Sequence, residues 1–479
     1  MAETIASRTG RPLRQSRRAA NIIFFALLAL IVFVSIPYGS VEPWWRALFV
    51  ATVFVLAAIS FIDFFLEGEF NVGRYSWLLP LVALAVFGFI QTIPFGSFYS
   101  AALSRNLPRT ISADAHGTRV WVAEMLALTF LGAMLLRYTT GERKVKMLVY
   151  VVIGSALASA IFGIVRQTMQ HQLGFGLPYL RPGIGYAQFI NKNHFAFLVE
   201  MALGLALGLI LWRGVSRERL LIIVGTILIL AGAVVLANSR GGMLAMFSQV
   251  IFAGVLRLFV RPVNRHAKQE SRLDKLTAKL TASPLVRVGL IVLLVATLAV
   301  GTVWIGGAPL VASLEAVPAE VGASTDNSRW AVRRWDIWPA TLKMIKDHPI
   351  AGVGFGGFWM AITKYHNASG EMVPQEAHND YLEFLASGGV VGAILGAWFV
   401  VMFIRSAQRT VRVKYPFGRA AKCGAIVGIV GVAAHSLVDF GLHIPANACL
   451  FISLIAVATL DSKRYGSRAN VIEIDETQP

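Results

Sequence analysis

The chain has 479 residues, of which 56% are hydrophobic and only 15% are charged, and its formal net charge is +18. A soluble globular protein carries nearer a quarter charged residues, so the composition excludes an ordinary soluble domain and indicates a polytopic membrane protein. In such a protein basic residues first indicate the orientation of the loops, so the charge does not predict a nucleic-acid partner.

Apolar segments of membrane-spanning length recur along the chain. A transmembrane helix needs about 20 predominantly apolar residues, and the segments of this kind predict about twelve spans. They lie at residues 21–37, 44–66, 76–93, 119–136, 146–165, 191–212, 219–237, 241–260, 285–306, 388–404, 420–438 and 442–460. The predicted fold class is an all-α polytopic membrane protein.

The loops between these segments divide the chain and orient it. Alternate loops, such as RYTTGERKVK and RSAQRTVRVKYPFGRAAK, are rich in Lys and Arg. The positive-inside rule places these loops and both chain ends in the cytoplasm, so the long loop faces outward, to the periplasm of a Gram-negative cell. The predicted parts are a basic tail (1–20), nine spans (21–306), a large outer loop with short helices (307–387), three spans (388–460) and a second tail (461–479).

Two polar motifs lie at the outer ends of predicted spans. FINKNHFAF carries Lys192, Asn193 and His194, and a cation with amides at a helix start could bind phosphate, although an interfacial cap is the alternative. ANSRGG carries Arg240, which could be a snorkelling boundary residue. The two glycines that follow allow a ligand to approach closely, which favours an anion site.

The long loop contains clustered cations. Arg333 and Arg334 lie next to each other in this loop. If the segment is helical, Arg334 and Trp338 are four residues apart and share one face of the helix. Pro339 is expected to break or restart that helix. A guanidinium fork is the preferred partner of a diphosphate, and a salt-bridging structural helix is the alternative. The run GVGFGG at 352–357 predicts a tight turn that aims the loop.

The end of the loop carries a candidate base. His378 precedes Asn379 and a short amphipathic helix, YLEFLASGG. A histidine can accept a proton near neutral pH, as the activation of a sugar hydroxyl requires, although a lone histidine is more often structural. His435 and Asp439 lie four residues apart, so they are predicted to pair and to shape the site.

The sequence predicts neither a cofactor nor a metal. It contains no phosphate-binding loop of the NTPase kind, so an activated substrate has to bring its own energy, as a lipid-linked diphosphate would. It also shows no outer carboxylate cluster suited to a metal ion.

In their order along the chain, eight motifs resemble the O-antigen ligase/polymerase superfamily of bacterial envelope enzymes. They are PYGSVEPW, ISADAHGT, NKNHFA, NSRGG, R-x-x-x-W, HPIAGVGFGGF, AHNDYLEFLASGGVVG and HSLVDFGLHIPA. The resemblance implies a GT-C-like, metal-independent, inverting glycosyltransferase at the outer face of the inner membrane. It also implies a glycan donor on undecaprenyl diphosphate and an acceptor that is either a lipid A-core sugar or another lipid-linked glycan.

The resemblance also implies roles for individual residues. Arg240 and Arg334 would hold the diphosphate, and His378 would position or deprotonate the acceptor hydroxyl. Family members commonly have arginine where Lys192 stands, so the charge is kept here but bidentate binding is lost. The remaining residues expected to bind substrate are Asn193, His194, Arg333, Asn379 and His435.

Two alternatives remain open. A flippase or other transporter would need polar residues along a path through the bundle, whereas acids within the spans are few and the polar groups concentrate on one side. This asymmetry favours an enzyme, which leaves the choice between a ligase and a repeat-unit polymerase of lipopolysaccharide or exopolysaccharide assembly. Both carry out the same chemistry on the same kind of donor, and the sequence does not decide between them.

Overall fold

The computed structural model describes residues 12–67, 75–100, 104–169, 185–260, 288, 292, 334–366, 374–411, 413 and 415–460. The predicted ninth span at 285–306, the loop residues 307–333 and the tail at 461–479 therefore lie outside the described residues, apart from two single positions in that span. The described chain is mostly helical, as the composition predicts.

The helices begin and end close to the predicted limits of the spans. Their bounds are α1 Pro12–Ser35, α2 Pro43–Glu67, α3 Leu79–Gln91, α4 Ala115–Tyr138, α5 Gly141–Met169, α6 Lys192–Leu211, α7 Arg217–Leu236, α8 Arg240–Phe259, α9 Arg334–Asp347, α10 Phe358–Ala361, α11 Asp380–Thr410, α12 Pro416–His435 and α13 Pro445–Thr459. Among the described helices, eight are long and apolar enough to cross a membrane. A polytopic membrane protein is thus confirmed, and the predicted total number of spans stays a prediction.

Two local features differ from the prediction. Helix α1 begins at Pro12, so part of the segment expected to be a tail continues the first span as helix. An antiparallel hairpin of β1 (Gly96–Ser100) and β2 (Arg105–Arg109) follows α3, where only helices were expected. Aromatic residues favour strands, and Phe98 pairs with Leu107 in this hairpin, but strands this short give little periodic signal in a sequence.

Glycines bring α6 and α12 into backbone contact. A Cβ atom on Gly204 would overlap the backbone of Gly428, and one on Gly208 would overlap the backbone of Gly424. Small residues at four-residue spacing allow this close approach, which is common between helices in membranes. The contact places the outer ends of α6 and α12, where polar motifs lie, next to each other.

We expect Gly208→Val to destabilise the fold, because the added side chain would force α6 and α12 apart. Overpacking of a filled contact costs typically about 1–3 kcal/mol. The matched control is Gly225→Val on α7, where an added Cβ meets nothing within 4 Å. Thermal unfolding of the detergent-solubilised variants should show a lower midpoint for the first variant and little change for the second. Equal midpoints would contradict the close contact.

The described part of the long loop packs on the outer ends of α3 and α4. Gln91, the last residue of α3, donates from its side-chain amide to the carbonyl oxygens of Ala351 (2.7 Å) and Ser387 (3.0 Å). Ahead of α4, the backbone N–H of Ala113 donates to the carbonyl of Val353 (2.8 Å). These bonds join three motifs that are far apart in the sequence.

The glycine-rich run forms the tight turn that the sequence predicts. Gly352 and Gly354 have φ values of 67° and 92°, in the left-handed region that favours glycine. A further glycine, Gly389 with φ 58°, bends α11 between the short helix that follows His378 and the span. A side chain on Gly389 would collide with the carbonyl of Ile350, so the bend and the turn fit against each other.

Candidate active site

Helix α9 of the long loop is fixed to the segment that carries His378. Trp338 donates from Nε1 to the carbonyl oxygen of Ala377 at 3.0 Å. Arg334 is the first residue of α9 and lies one turn before Trp338, so the two residues start from the same face of the helix. The helix continues through Pro339, so the expected break is wrong. Because Pro339 lies early in the helix, its ring disturbs only the first turns.

His378 pairs with an aspartate that follows the end of α12. Its Nδ1 lies 3.2 Å from Oδ1 of Asp439, whose side chain is buried, while the imidazole is about one-third exposed at 32%. The backbone of His378 has φ 51°, a strained conformation for a residue with a side chain. Such strain tends to occur at functional sites, where the surrounding structure holds it. With Nδ1 held by Asp439, Nε2 is the ring nitrogen left for a substrate.

A chain of hydrogen bonds links Asp439 to the start of α8. Asn193 donates from its side-chain amide to Oδ2 of Asp439. Ser239, which caps α8, donates to the side-chain oxygen of Asn193 at 2.8 Å. The next residue is Arg240. Both polar ends of the Asn193 amide, a residue predicted to bind substrate, thus have partners within the protein.

Two predicted cations lie near each other at this point. Lys192 begins α6 and Arg240 begins α8, and the charge of Arg240 acts on Lys192 across the gap. Two like charges at adjacent helix starts repel each other unless an anion lies between them. Both helix starts also present backbone N–H groups, which favour an anion further.

Two other residues predicted to bind substrate, His435 and Asn379, have different surroundings from those expected. His435 is buried and pairs with Glu200 at 3.0 Å, so its predicted pairing with Asp439 is wrong. Its ring also stacks on Phe197, and it therefore supports the site from within the bundle. Asn379 caps α11 through its side-chain oxygen and donates to the carbonyl of Leu437, so its polar groups are occupied as well.

His194 lines the site from the interior. Its side chain is only 8% exposed, and its Nε2 has no hydrogen-bond partner among the described residues. Its ring contacts the edge of Phe440, at 4.9 Å between ring centroids. The rings of His378 and His443 lie against the same phenylalanine, at 4.8 Å and 6.0 Å. Phe440 thus packs among three imidazoles at the site.

A cavity of about 1130 Å³ opens at these residues. Typical small-molecule sites measure roughly 300–1,000 Å³, so this one can hold a larger ligand or two ligands. Its lining includes His194 and His378, described above. The lining also includes a group of charged side chains that we call the carboxylate wall, formed by Arg46, Glu124, Glu376, Glu383 and His443.

Nothing in the sequence pattern predicts the carboxylate wall. Glu376, Glu383 and His443 offer ligand atoms within 4.8 Å of one another, so the expectation of no carboxylate cluster with the spacing that a metal ion needs is wrong. Both ring nitrogens of His443 face carboxylates, with Nδ1 3.2 Å from Glu376 and Nε2 3.6 Å from Glu383. An imidazolium carries a proton on each ring nitrogen and has no lone pair for a metal ion. The geometry fits an imidazolium between carboxylates better than a metal site.

The pKa values of this pair agree with that protonation state. Burial alone would raise the pKa of Glu376, but attraction to His443 and hydrogen bonds outweigh it and bring the pKa to about 2. Burial alone would lower the pKa of His443, yet the charges of Glu376 and Glu383 raise it well above its usual value. Glu376 and His443 therefore form an ion pair at neutral pH.

Comparison with known proteins identifies one family. Residues 224–397 match the family model described as Wzy_C: O-Antigen ligase, which confirms the resemblance to the O-antigen ligase/polymerase superfamily. The match includes Arg240, Arg334 and His378 but neither Lys192 nor Asp439. It supports a membrane glycosyltransferase-like role in polysaccharide assembly. No curated protein matches the chain by sequence.

Proposed function

We propose that this protein transfers a glycan from undecaprenyl diphosphate to a sugar acceptor. The proposal builds on the match of residues 224–397 to the O-antigen ligase family. The observation that carries this proposal is the pairing of His378, which lines the large cavity, with Asp439, which hydrogen bonds through Asn193 and Ser239 link to the start of α8. The reaction belongs to surface polysaccharide assembly. Its site faces the periplasm from the bacterial inner membrane, following the orientation of the basic loops.

In the proposed reaction His378 is the general base. A hydroxyl oxygen of the acceptor attacks the anomeric carbon of the donor sugar, and its proton moves to Nε2 of His378. Asp439 holds Nδ1 and stabilises the imidazolium that forms, as a carboxylate does in other base–carboxylate pairs. The exposed side of the ring faces the cavity, so an acceptor can reach it.

The leaving group is the lipid diphosphate. As the bond between the anomeric carbon and the phosphate oxygen breaks, negative charge grows on that oxygen, and fixed cations stabilise it. We assign this role to Arg240 and Lys192, with Arg334 of α9 as the third cation. With such cations neutralising the diphosphate, the reaction needs no metal ion. A single displacement with attack opposite the leaving group inverts the anomeric configuration.

The test of transfer uses the purified full chain in liposomes with an undecaprenyl diphosphate glycan and candidate acceptors. We expect a new glycosidic bond, detected by mass spectrometry of the products. Movement of the lipid-linked glycan across the bilayer without a new bond would instead support the flippase alternative.

Gene deletion followed by glycan profiling separates the two enzyme classes. A ligase is the first proposal, and its loss should leave long lipid-linked chains together with bare lipid A-core. Loss of a polymerase should instead leave single repeats. Unchanged profiles in the deletion strain would contradict both.

A further inference from the structure

We propose that the carboxylate wall of the cavity is the subsite for the acceptor, and that it selects a neutral, hydroxyl-rich sugar. This inference rests on the proposed function, because only the transfer reaction makes the bound sugar an acceptor. The binding of a sugar to the wall can be measured without that reaction. The residues of the wall line the cavity, whereas Lys192 and Arg240, the cations at the starts of α6 and α8, are not among the lining residues.

The pairing within the wall disfavours an anionic ligand. Glu124 pairs with Arg46 at 3.0 Å, and Glu376 pairs with His443 at 3.2 Å. Two further carboxyl groups, Glu383 of the wall and Asp380 next to it, each lie 3.6 Å from the same imidazole. Both cations of the wall are thus already paired with carboxylates. A sugar that carries a carboxylate or phosphate would meet like charge there instead of an available cation, which disfavours its binding.

The wall also offers what sugar hydroxyls need. Carboxylate oxygens accept more than one hydrogen bond each, and a hydroxyl can donate one and accept others. His194, nine-tenths buried at the same cavity, has an Nε2 without a partner among the described residues. A buried polar atom without a partner is costly, and a bound hydroxyl would satisfy it.

Aromatic rings complete the subsite. Trp359 lines the cavity with 43% of its surface exposed, and its Nε1 is anchored by Asp114 at 3.2 Å. Trp121 lines it as well and is stacked on Phe355 with ring centroids 4.0 Å apart. Rigid aromatic walls with a few convergent polar groups are typical of sites that hold a ligand in one orientation.

The position of the wall favours the acceptor over the donor sugar. Glu376 lies two residues before His378, and His443 and His378 contact the same Phe440 ring. A sugar on the wall therefore lies beside the general base, where the nucleophilic hydroxyl has to be. The donor diphosphate belongs on the other side, with Lys192 and Arg240.

Binding is measured by saturation-transfer difference NMR on the purified full chain in detergent micelles, without donor. The probes are the neutral methyl glucoside, its uronic-acid counterpart methyl glucuronide, and glucose 6-phosphate. We expect the neutral glycoside to bind at least about tenfold more tightly than either anion, the ratio that 1.4 kcal/mol corresponds to. This comparison needs no variant. Equal or tighter binding of the anions, or no binding of the neutral glycoside, would overturn the proposal.

The Glu376→Gln variant tests the wall directly. This variant has one negative charge fewer in the wall, so its preference for the neutral glycoside should fall several-fold. The Glu142→Gln variant should keep the preference of the unchanged protein. Glu142 is the matched control because it pairs with Lys146 on the surface of α5. In the transfer assay Glu376→Gln should raise the KM for acceptor and leave the KM for donor unchanged. If Glu376→Gln raised only the KM for the donor, the assignment of the wall to the acceptor would be overturned. If the protein bound the neutral sugar selectively but transferred no glycan, only the proposed function would be contradicted.

Discussion

Replacing His378 with alanine is expected to abolish measurable glycan transfer while the protein stays folded in the membrane. General acid–base catalysis by one side chain contributes typically about 10²–10⁴-fold, so kcat should fall by roughly that factor. The side chain is one-third exposed and makes one polar contact, with Asp439, so its removal leaves the packing of the bundle intact. The measurement is the initial rate of transfer in liposomes at saturating donor and acceptor.

The matched control for this prediction is His348→Ala. His348 lies on the same loop just after α9, but its side chain is exposed and it is not among the residues that line the cavity. We expect this variant to keep the rate of the unchanged protein. If His378→Ala retained most of the rate, or if both variants lost it equally, His378 would not be the base.

Replacing Arg240 with alanine is expected to lower kcat/KM for the donor by roughly 10²–10³-fold, the usual cost of removing one preorganised charge-stabilising donor. Arg240 begins α8 beside Lys192, and a diphosphate bound there would meet both cations. Arg240→Lys should recover part of the activity, because lysine keeps the charge but cannot form the two parallel bonds of a guanidinium. Competition by inorganic diphosphate would report the loss of anion binding separately from the chemistry.

The control for the Arg240→Ala prediction is Arg219→Ala. Arg219 is an exposed arginine in the first turn of α7, at the end of the helix that is predicted to face the cytoplasm. Its thermal midpoint and transfer rate should match those of the unchanged protein. Normal donor kinetics in Arg240→Ala would remove this residue from the site. A lowered thermal midpoint would show that Arg240 acts on the fold instead.

The residues around His435 show how a local pattern can mislead. His435 and Asp439 lie four apart, a spacing that brings two side chains together only while the helix continues. Helix α12 ends at His435, so the chain turns before Asp439 and the two side chains point to different partners. His435 pairs with Glu200, and Asp439 pairs with His378. The predicted pairing within the motif was therefore wrong.

The carboxylate wall shows what the sequence leaves out altogether. Arg46 lies in the first turn of α2, Glu124 lies within α4, and His443 precedes the last helix. Each of these residues alone is an ordinary polar group in or beside an apolar segment. Only the packing of the bundle brings them to one side of the same cavity.

The sequence by itself determined the class of the protein and predicted the residues of a candidate site. Hydrophobic length decides which segments span a membrane, since unpaired backbone groups in lipid are costly, and the order of the motifs indicated the family. The tertiary structure decided which polar residues meet. Asp439 binds His378, Asn193 links that pair to the start of α8, and the carboxylates line the same cavity as His378. The hydrogen-bonded partners are 46, 61 and 246 residues apart, so no spacing along the chain encodes them, and only the close packing of the helices brings them together.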